Sequence, residues 1–188
     1  RRHIHKVIEA VRVLDKVITE FLAFARPAAP SPQWTGVERM VDDAAFLLAP
    51  EMEAASIEYR QEVSEGLQVY ADPEQLRRAL FNLLKNGVQA MQQGGQLRVR
   101  GRQVAGEVVV EVADTGPGMS PEVQERLFEP FFTTKQKGSG LGLAIARQTL
   151  EENRGRIEVE TAPGAGTTFR VVLPGNNNGA LRPQRVET

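Results

Sequence analysis

A chain of 188 residues, 41% of them hydrophobic, is long enough for one cored domain plus an appendage. Its 23 Lys+Arg against 24 Asp+Glu leave a net charge of −1, which excludes attachment to nucleic acid or to a membrane surface through bulk charge. There is no cysteine, so disulfides and thiolate metal sites are excluded and the redox compartment stays open; with only His3 and His5, a zinc site of the HExxH type is excluded too. No apolar run reaches the ~18–20 residues that span a bilayer, and no signal peptide is visible. The chain opens at Arg1 in mid-pattern without Met, so it is expected to be a piece of something longer.

Ile4, Val7, Val11, Leu14, Ile18, Phe21 and Ala25 recur at alternating spacings of three and four. This is the seam of a coiled coil or helical bundle. Ile8, Val17 and Leu22 widen the stripe and favour a bundle contact; the alternative is an amphipathic helix packed on its own domain. Pro27 ends that helix, and 27–32 reads as a stiff linker. A short strand is expected over 33–35 and a helix over 36–53, with Val37, Met40, Val41, Ala44, Ala45, Leu47 and Leu48 on one side. Strands follow at 57–63 and 67–71, joined by a turn at Ser64–Gly66. Asp72-Pro73 starts a helix, with Asp as N-cap and Pro at the first helical position, running to about Met91. Segments 96–104 and 107–113 form a hairpin around Gly106, 121–127 a short helix, 141–153 a longer one, and 156–161 with 167–173 a last hairpin. The tail, 175–188, is polar and expected to be disordered. Hairpin strands with helices grouped on one face make a two-layer α/β sandwich.

Chemistry gathers around two glycine clusters, Asp114–Gly118 (DTGPG) and Gly138–Gly142 (GSGLG). By strand parity Asp114 shares the face of Val108, Val110 and Val112, where a carboxylate is costly unless something donates to it. The amino group of adenine is such a donor; the competing reading is that Asp114 merely caps the following turn. Asn82 and Asn86 lie four apart on one helix face beside an apolar stripe, although Asn is a poor helix former. Neutral amide oxygens suit a Mg²⁺ whose negative ligands come from a triphosphate; otherwise they are two solvated side chains. Gly138, Gly140 and Gly142 precede a helix whose first N–H groups can meet phosphate. The run is neither a Rossmann fingerprint, since Leu143 stands where the third glycine would be, nor a Walker A loop, since no Gly-Lys dipeptide exists. Lys135 and Lys137 either reach a terminal phosphate or belong to a solvated loop. Phe128, Phe131 and Phe132 either anchor a flap between the clusters or pack as ordinary core. Thr167 shares a face with Phe169, Val171 and Leu173 and can carry a hydroxyl toward Asp114.

Taken in order, these segments resemble the catalytic ATP-binding domain of two-component sensor histidine kinases. Asn82 and Asn86 are similar to its N box and Asp114–Gly118 to its first glycine box. Phe128–Phe132 (FEPFF) resembles its F box, Gly138–Gly142 its second glycine box and Gly166-Thr167 its third. The likeness covers about 33–174, and FEPFFTTK looks most like kinases of the nitrogen-regulatory type. Residues 1–26 resemble the second helix of the dimerisation and phosphoacceptor domain. The acceptor motif is absent, since Ile4 follows His3 and Lys6 follows His5 with no proline in place, so both histidines read as exposed helix residues.

The resemblance implies a Bergerat or GHKL-type α/β two-layer sandwich, a mostly antiparallel mixed sheet with about three helices on one face, preceded by one long bundle helix. It implies that Asp114 receives adenine with Thr167 assisting, and that Asn86 with Asn82 binds Mg²⁺. It also places Lys85, Gly116, Gly118, Gly138, Gly140, Leu141 and Gly142 about the ATP, and Phe128, Phe131, Phe132 and Lys135 in a lid. Gly87 departs from the family's usual Ala and either loosens the helix or leaves room by the nucleotide. The activity implied is transfer of the ATP γ-phosphoryl group to a histidine outside this chain, then to an aspartate of a response regulator. The implied setting is a cytoplasmic homodimer that binds no nucleic acid and meets a membrane only through other segments. Two rivals stay open: a hydrolytic ATPase like gyrase, which would want a Glu base where Asn82 stands, and a nucleotide-sensing module without transfer activity.

Overall fold

The computed structural model describes residues 29–135 and 138–175, together with Val11, Leu14, Asp15, Ile18, Thr19, Phe21, Leu22 and Ala25. Those eight positions are helical, in keeping with the heptad. Ile4, Val7, Ile8, Val17, both histidines, Lys137 and the tail beyond Gly175 lie outside the described residues. Val11, Leu14, Ile18, Phe21 and Leu22 are exposed. Among the described residues no helix is long and apolar enough to cross a membrane.

The domain is built from β1 (Gln33–Gly36), α1 (Val37–Ala54), β2 (Ile57–Val63), β3 (Gln68–Ala71), α2 (Pro73–Ala90), β4 (Gly95–Val104), β5 (Glu107–Asp114), α3 (Pro121–Arg126), α4 (Gly142–Glu152), β6 (Arg156–Thr161) and β7 (Thr167–Pro174). Five strands form one sheet in the order β2-β4-β5-β7-β6, and β1 pairs with β3 in a separate two-stranded sheet. Only β2 and β4 run parallel in the main sheet. Helices α1, α2 and α4 cover one face, meeting Leu97, Val99, Val108, Val110, Val112, Phe169, Val171 and Leu173 in a single core. The two-layer sandwich and its mixed sheet are thus as expected.

Local chemistry accounts for the elements. Asp72 Oδ1 accepts from the backbone N–H groups of Glu74 and Gln75, both at 3.0 Å, and Pro73 supplies the pre-set first helical residue of α2. The β4–β5 hairpin turns at Ala105 (φ 50°) and Gly106 (φ 86°), the two positive φ values of a tight turn matched to strand twist. Helix α1 buries Val37, Met40, Val41, Ala44, Ala45, Leu48 and Met52, whereas Leu47, expected on that stripe, is exposed beside Phe46. The buried row runs through Leu48 and Met52 at helical spacing and leaves Leu47 on its outer side.

One pairing differs from the sequence reading. Segments 57–63 and 67–71 are adjacent strands joined by a turn, yet they do not pair: β2 lies parallel to β4 and β3 antiparallel to β1. Buried Leu67 carries the chain off the main sheet, and its carbonyl accepts from the Val37 N–H (2.9 Å), at the start of α1. The edge that β3 would have taken is filled instead by β4, which arrives after the crossover through α2. A second difference is Gly175, placed in the expected disordered tail, which bridges Val69.

Helices α2 and α4 are pinned at one end by Asn153, which is 5% exposed. Its Oδ1 accepts from the Asp72 N–H (2.8 Å), and its Nδ2 donates to Gln75 Oε1 (2.8 Å) and to the Thr149 carbonyl (2.9 Å). Asp72 Oδ2 also accepts from the N–H of Ser31, two residues before β1 (2.8 Å). At the opposite end of α4, a Cβ on Gly142 would stand 3.6 Å from Asn82 Oδ1.

Replacing Asn153 by Ala would leave the Asp72 N–H without its acceptor; the expected cost is about 2 kcal/mol in a urea unfolding curve. Gly166 has φ 77°, and a Cβ there would meet the Asp114 carbonyl oxygen at 2.0 Å, whereas Gly66 at φ 70° faces open space. Gly166→Ala is therefore expected to cost about 3 kcal/mol or more, and Gly66→Ala only about 1 kcal/mol, by the same measurement.

Candidate functional site

A concavity of about 870 Å³ opens at the C-terminal half of α2. One wall is a single face of α2: Asn82, Lys85, Asn86 and Gln89. The loop after β5 forms a second wall through Gly116 and Gly118. Thr133, Thr134, Lys135 and Gly138 line it from the loop between α3 and α4, and Gly140 and Gly142 lead into α4. Thr167 reaches it from β7. The N-terminal glycine turn of α4 has no side-chain cap hydrogen bond, so its first N–H groups and positive dipole end stay available on the side where Asn82 stands.

Asp114 is not among the residues that line this cavity, although Gly116 and Thr167, which bond to it, are; it ends β5, 7% exposed, on the covered face as strand parity requires. Burial raises its pKa, and the backbone N–H groups of Gly116 (2.9 Å to Oδ1) and Thr167, together with the charge of Lys135, oppose that rise. The turn-capping role weighed for Asp114 is therefore present, and the same carboxylate is also buried. Thr167 pairs with Asp114 across the sheet, and its hydroxyl lies 3.2 Å from that of Thr161. Thr161 Oγ1 in turn accepts from the Met119 N–H (3.0 Å) and donates to the Gly166 carbonyl (2.9 Å), tying the first glycine turn to the third.

Lys135 is the strongest electrostatic feature of the cleft. Its Nζ donates to Asn86 Oδ1 (2.7 Å), to the Asn86 carbonyl (3.3 Å) and to Gln89 Oε1 (3.1 Å). Burial lowers its pKa to about 8, with Asp114 pulling upward and Lys85 pushing further down. Among the described residues no cluster of three or more acidic, histidine or cysteine side chains could hold a metal by itself. The amide oxygens of Asn86 and Gln89 nonetheless converge on one cation, so the donor set fits a hard metal that takes its remaining oxygens from a phosphate ligand.

The sequence-derived residues do not all arrive together. Asn82, Lys85, Asn86, Gly116, Gly118, Lys135, Gly138, Gly140, Gly142 and Thr167 line the cavity, and Phe132 is the one expected lid phenylalanine that does. Leu141 is fully buried and anchors the loop from beneath. Phe128 packs against the core and lies under the Arg147 guanidinium (5.6 Å). Phe131 has φ 66° and is 56% exposed, its ring 6.2 Å from that of Phe21 on the N-terminal helical segment. Gln89 was missed, although it continues the Asn82, Asn86 face at helical spacing. Met119 and Leu143 add apolar lining that no short motif marks.

Residues 71–177 match the family described as histidine kinase-, DNA gyrase B-, and HSP90-like ATPase. Sporulation kinase E of Bacillus subtilis (strain 168) is 32% identical over 94% of this chain and 24% of its own length. The signal transduction histidine-protein kinase AtoS of Escherichia coli (strain K12) is 32% identical over 95% of this chain and 30% of its own. This chain thus spans less than a third of the length of either curated relative. Among solved structures, full-length ShkA in complex with AMPPNP superposes with a TM-score of 0.83 at 30% identity, covering 98% of this chain and 40% of that one. The nucleotide-free catalytic domain of histidine kinase ThkA gives 0.70 at 28% identity, over 77% and 95%. The family match covers more than half of the chain, and the chain belongs to the histidine kinase-, gyrase B- and HSP90-like ATPases, with the catalytic ATP-binding domain of a sensor histidine kinase.

Proposed function

We propose that this cleft binds Mg–ATP and that the chain is the nucleotide-binding half of a protein-histidine kinase. It presents the γ-phosphoryl group to a histidine on another segment, for relay to a response-regulator aspartate. The observation that carries the reading is the buried Asp114 carboxylate, set on the covered face against α2 at Gly87 and bonded to the backbone of Gly116 and Thr167, both of which line the cleft. A carboxylate held in that place by two backbone N–H groups has acceptor capacity left for the amino group of adenine, with Thr167 beside it. Gly140 and Gly142 bring backbone N–H groups to the phosphates, and Lys85 and Lys135 bring positive charge.

Asn86 with Asn82 would hold the Mg²⁺, which would supply positive charge against the phosphates. The chain's own part in the reaction is positioning. Asn82 and Asn86 fix the phosphate chain along α2, the start of α4 stabilises its charge, and Phe128 and Phe132 hold the lid base over the cleft. The bond between the β–γ bridging oxygen and the γ-phosphorus breaks as the incoming imidazole nitrogen bonds to phosphorus, and ADP leaves. Asn82 cannot accept a proton from water, which separates this reading from the hydrolytic branch of the family. We further propose that the intact protein dimerises through the helix at 1–26, that 27–32 links it to the domain at 33–174, and that the reaction is cytoplasmic.

Asp114→Asn should weaken ATP binding about 10- to 100-fold in a calorimetric titration, the value of one charge-assisted hydrogen bond. It should also stabilise the apo fold. Burial raises the folded-state pKa above the ordinary 3.8, so folding carries a penalty that is absent below 3.8 and complete above the raised value. The stability advantage of Asp114→Asn is therefore expected at neutral pH and should vanish as the pH falls toward 3.8. Labelled ATP with a separate acceptor-helix fragment should yield acid-labile phosphohistidine, while ATP hydrolysis without acceptor stays far below ~1–10 s⁻¹. Hydrolysis at that rate would place the chain in the hydrolytic branch; binding without transfer would leave a sensing module.

A further inference from the structure

Lys135 occupies a position that the nucleotide reading reserves for something else. Its ammonium sits 2.7 Å from Asn86 Oδ1, the amide oxygen assigned to the metal, and 3.1 Å from Gln89 Oε1 one helical turn further along α2. Asn82, Asn86 and Gln89 share one face of that helix, so their side chains open onto the same part of the cleft. A lysine ammonium carries three donors, and three contacts to oxygen are present: Asn86 Oδ1, the Asn86 carbonyl and Gln89 Oε1. The surrounding loop is shaped to deliver it. The Lys135 N–H donates to Thr133 Oγ1 (3.1 Å), and the Gly138 N–H donates to the Lys135 carbonyl (3.3 Å). A Cβ on Gly138 would meet Thr133 Oγ1 at 2.7 Å, so a side chain there would displace the hydroxyl that holds the Lys135 N–H.

We infer that Asn86 and Gln89 form a cation site that Lys135 fills in the nucleotide-free protein and yields to the divalent metal when the nucleotide arrives. Lys135 is thereby both the lid's latch and the metal's competitor, and Gln89 is an oxygen donor that the metal inherits. This rests on the Mg–ATP reading. A doubly charged ion drawing on Asn86 Oδ1 would stand within a few ångströms of the ammonium, and the two positive charges cannot share one low-dielectric pocket without strong repulsion. Entry of the metal therefore expels Lys135. The stretch from Phe132 to Lys135 loses its tether to α2, and the freed ammonium becomes available to the triphosphate. An ammonium in this place also keeps the amide oxygens hydrogen-bonded before any nucleotide binds, so the empty cleft is already arranged around a positive charge.

The inference gives two variants opposite signatures. Lys135→Met keeps the length of the side chain and removes the charge. Gln89→Leu removes one oxygen and keeps the helix. ADP is the probe, because it lacks the γ-phosphate that a liberated Lys135 would contact. In the 188-residue chain, Lys135→Met should lower the Mg²⁺ concentration giving half-maximal tightening of ADP binding by about 3- to 10-fold, and Gln89→Leu should raise it by a similar factor, each being worth one or two hydrogen bonds. Without nucleotide, both variants should speed amide hydrogen exchange across 131–140 by about 3- to 10-fold while exchange in β5 and β7 is unchanged. That unchanged exchange also shows that both variants fold. A Lys135→Met protein whose Mg²⁺ requirement is unchanged or raised, or whose lid exchanges as in the wild type, would overturn the inference while wild-type Mg–ADP binding leaves the nucleotide reading standing. Wild-type protein that binds no ADP at any Mg²⁺ concentration would overturn both.

Discussion

The carboxylate of Asp114 is the constraint around which the rest of the domain is arranged. It ends the central strand on the face that three helices cover, where an ionised group needs donors and close backbone. Three glycines converge on it. A Cβ on Gly116 would stand 2.9 Å from Asp114 Oδ1, one on Gly166 would stand 2.0 Å from its carbonyl oxygen, and one on Gly87 would stand 3.3 Å from its Cβ. Gly116 and Gly166 thus let backbone close around a buried acid, and Gly116 also faces the cleft. Gly87 has the same explanation. The space beside it is taken by Leu97, 2.9 Å from a would-be Cβ, and by Asp114, rather than being left open for a nucleotide. Helix α2 approaches the strand more closely at this turn than an alanine would allow without a shift in those side chains.

A cation near that acid is the natural complement, and Lys135 supplies it from a loop remote in sequence. The same ammonium pays its own desolvation cost through amide oxygens on α2, so lid, strand and helix are tied electrostatically before a ligand enters. The lid is anchored unevenly. Phe128 faces inward against the core and Phe132 lies under the Arg126 guanidinium (4.3 Å). Phe131 takes a left-handed conformation that turns its ring out toward Phe21, and its N–H donates to the Gly140 carbonyl (3.1 Å). A Cβ on Gly140 would stand 2.4 Å from the Phe131 carbonyl carbon, so the second glycine cluster also seats the strained phenylalanine.

What the sequence made legible was whatever follows from period and local chemistry. The two-residue period put Asp114 on the valine face, and the Asp72-Pro73 pair marked the start of α2, because both depend on neighbours a few positions away. Gln89 was equally within reach, since it lies on the same helical face as Asn82 and Asn86, but Gln is an ordinary helix residue and carries no local cost that asks for compensation. The failure of segments 57–63 and 67–71 to pair was out of reach, because nothing in a turn sequence says that an edge will be taken by a strand arriving after a whole helix. Val109 shows the same limit. Parity sends it to the open face, yet it is 7% exposed, since its row in the sheet places Arg102 on one side and Val172 with Arg156 on the other, and long arginine stems cover apolar surface.

The alignment of α2 with α4 explains how contacts far from the cleft set its geometry. Asn153 joins the end of α4 to Asp72 at the start of α2, while Gly142 at the start of α4 faces Asn82. From Asp72 to Asn82 along α2 the rise is about 15 Å, and from Asn153 back to Gly142 along α4 it is about 16 Å. The two helices are therefore antiparallel struts of nearly equal length, fixed by hydrogen bonds at one end and by close backbone approach at the other. A buried asparagine at the fixed end has one arrangement that satisfies Asp72, Gln75 and Thr149 together, so it sets the register between the struts more sharply than apolar packing would. That register places the uncapped N–H groups of α4 beside the amide face of α2. Ser31 hydrogen-bonds to the carboxylate that caps α2, so the segment that precedes β1 is attached to the same strut that carries Asn82, Asn86 and Gln89.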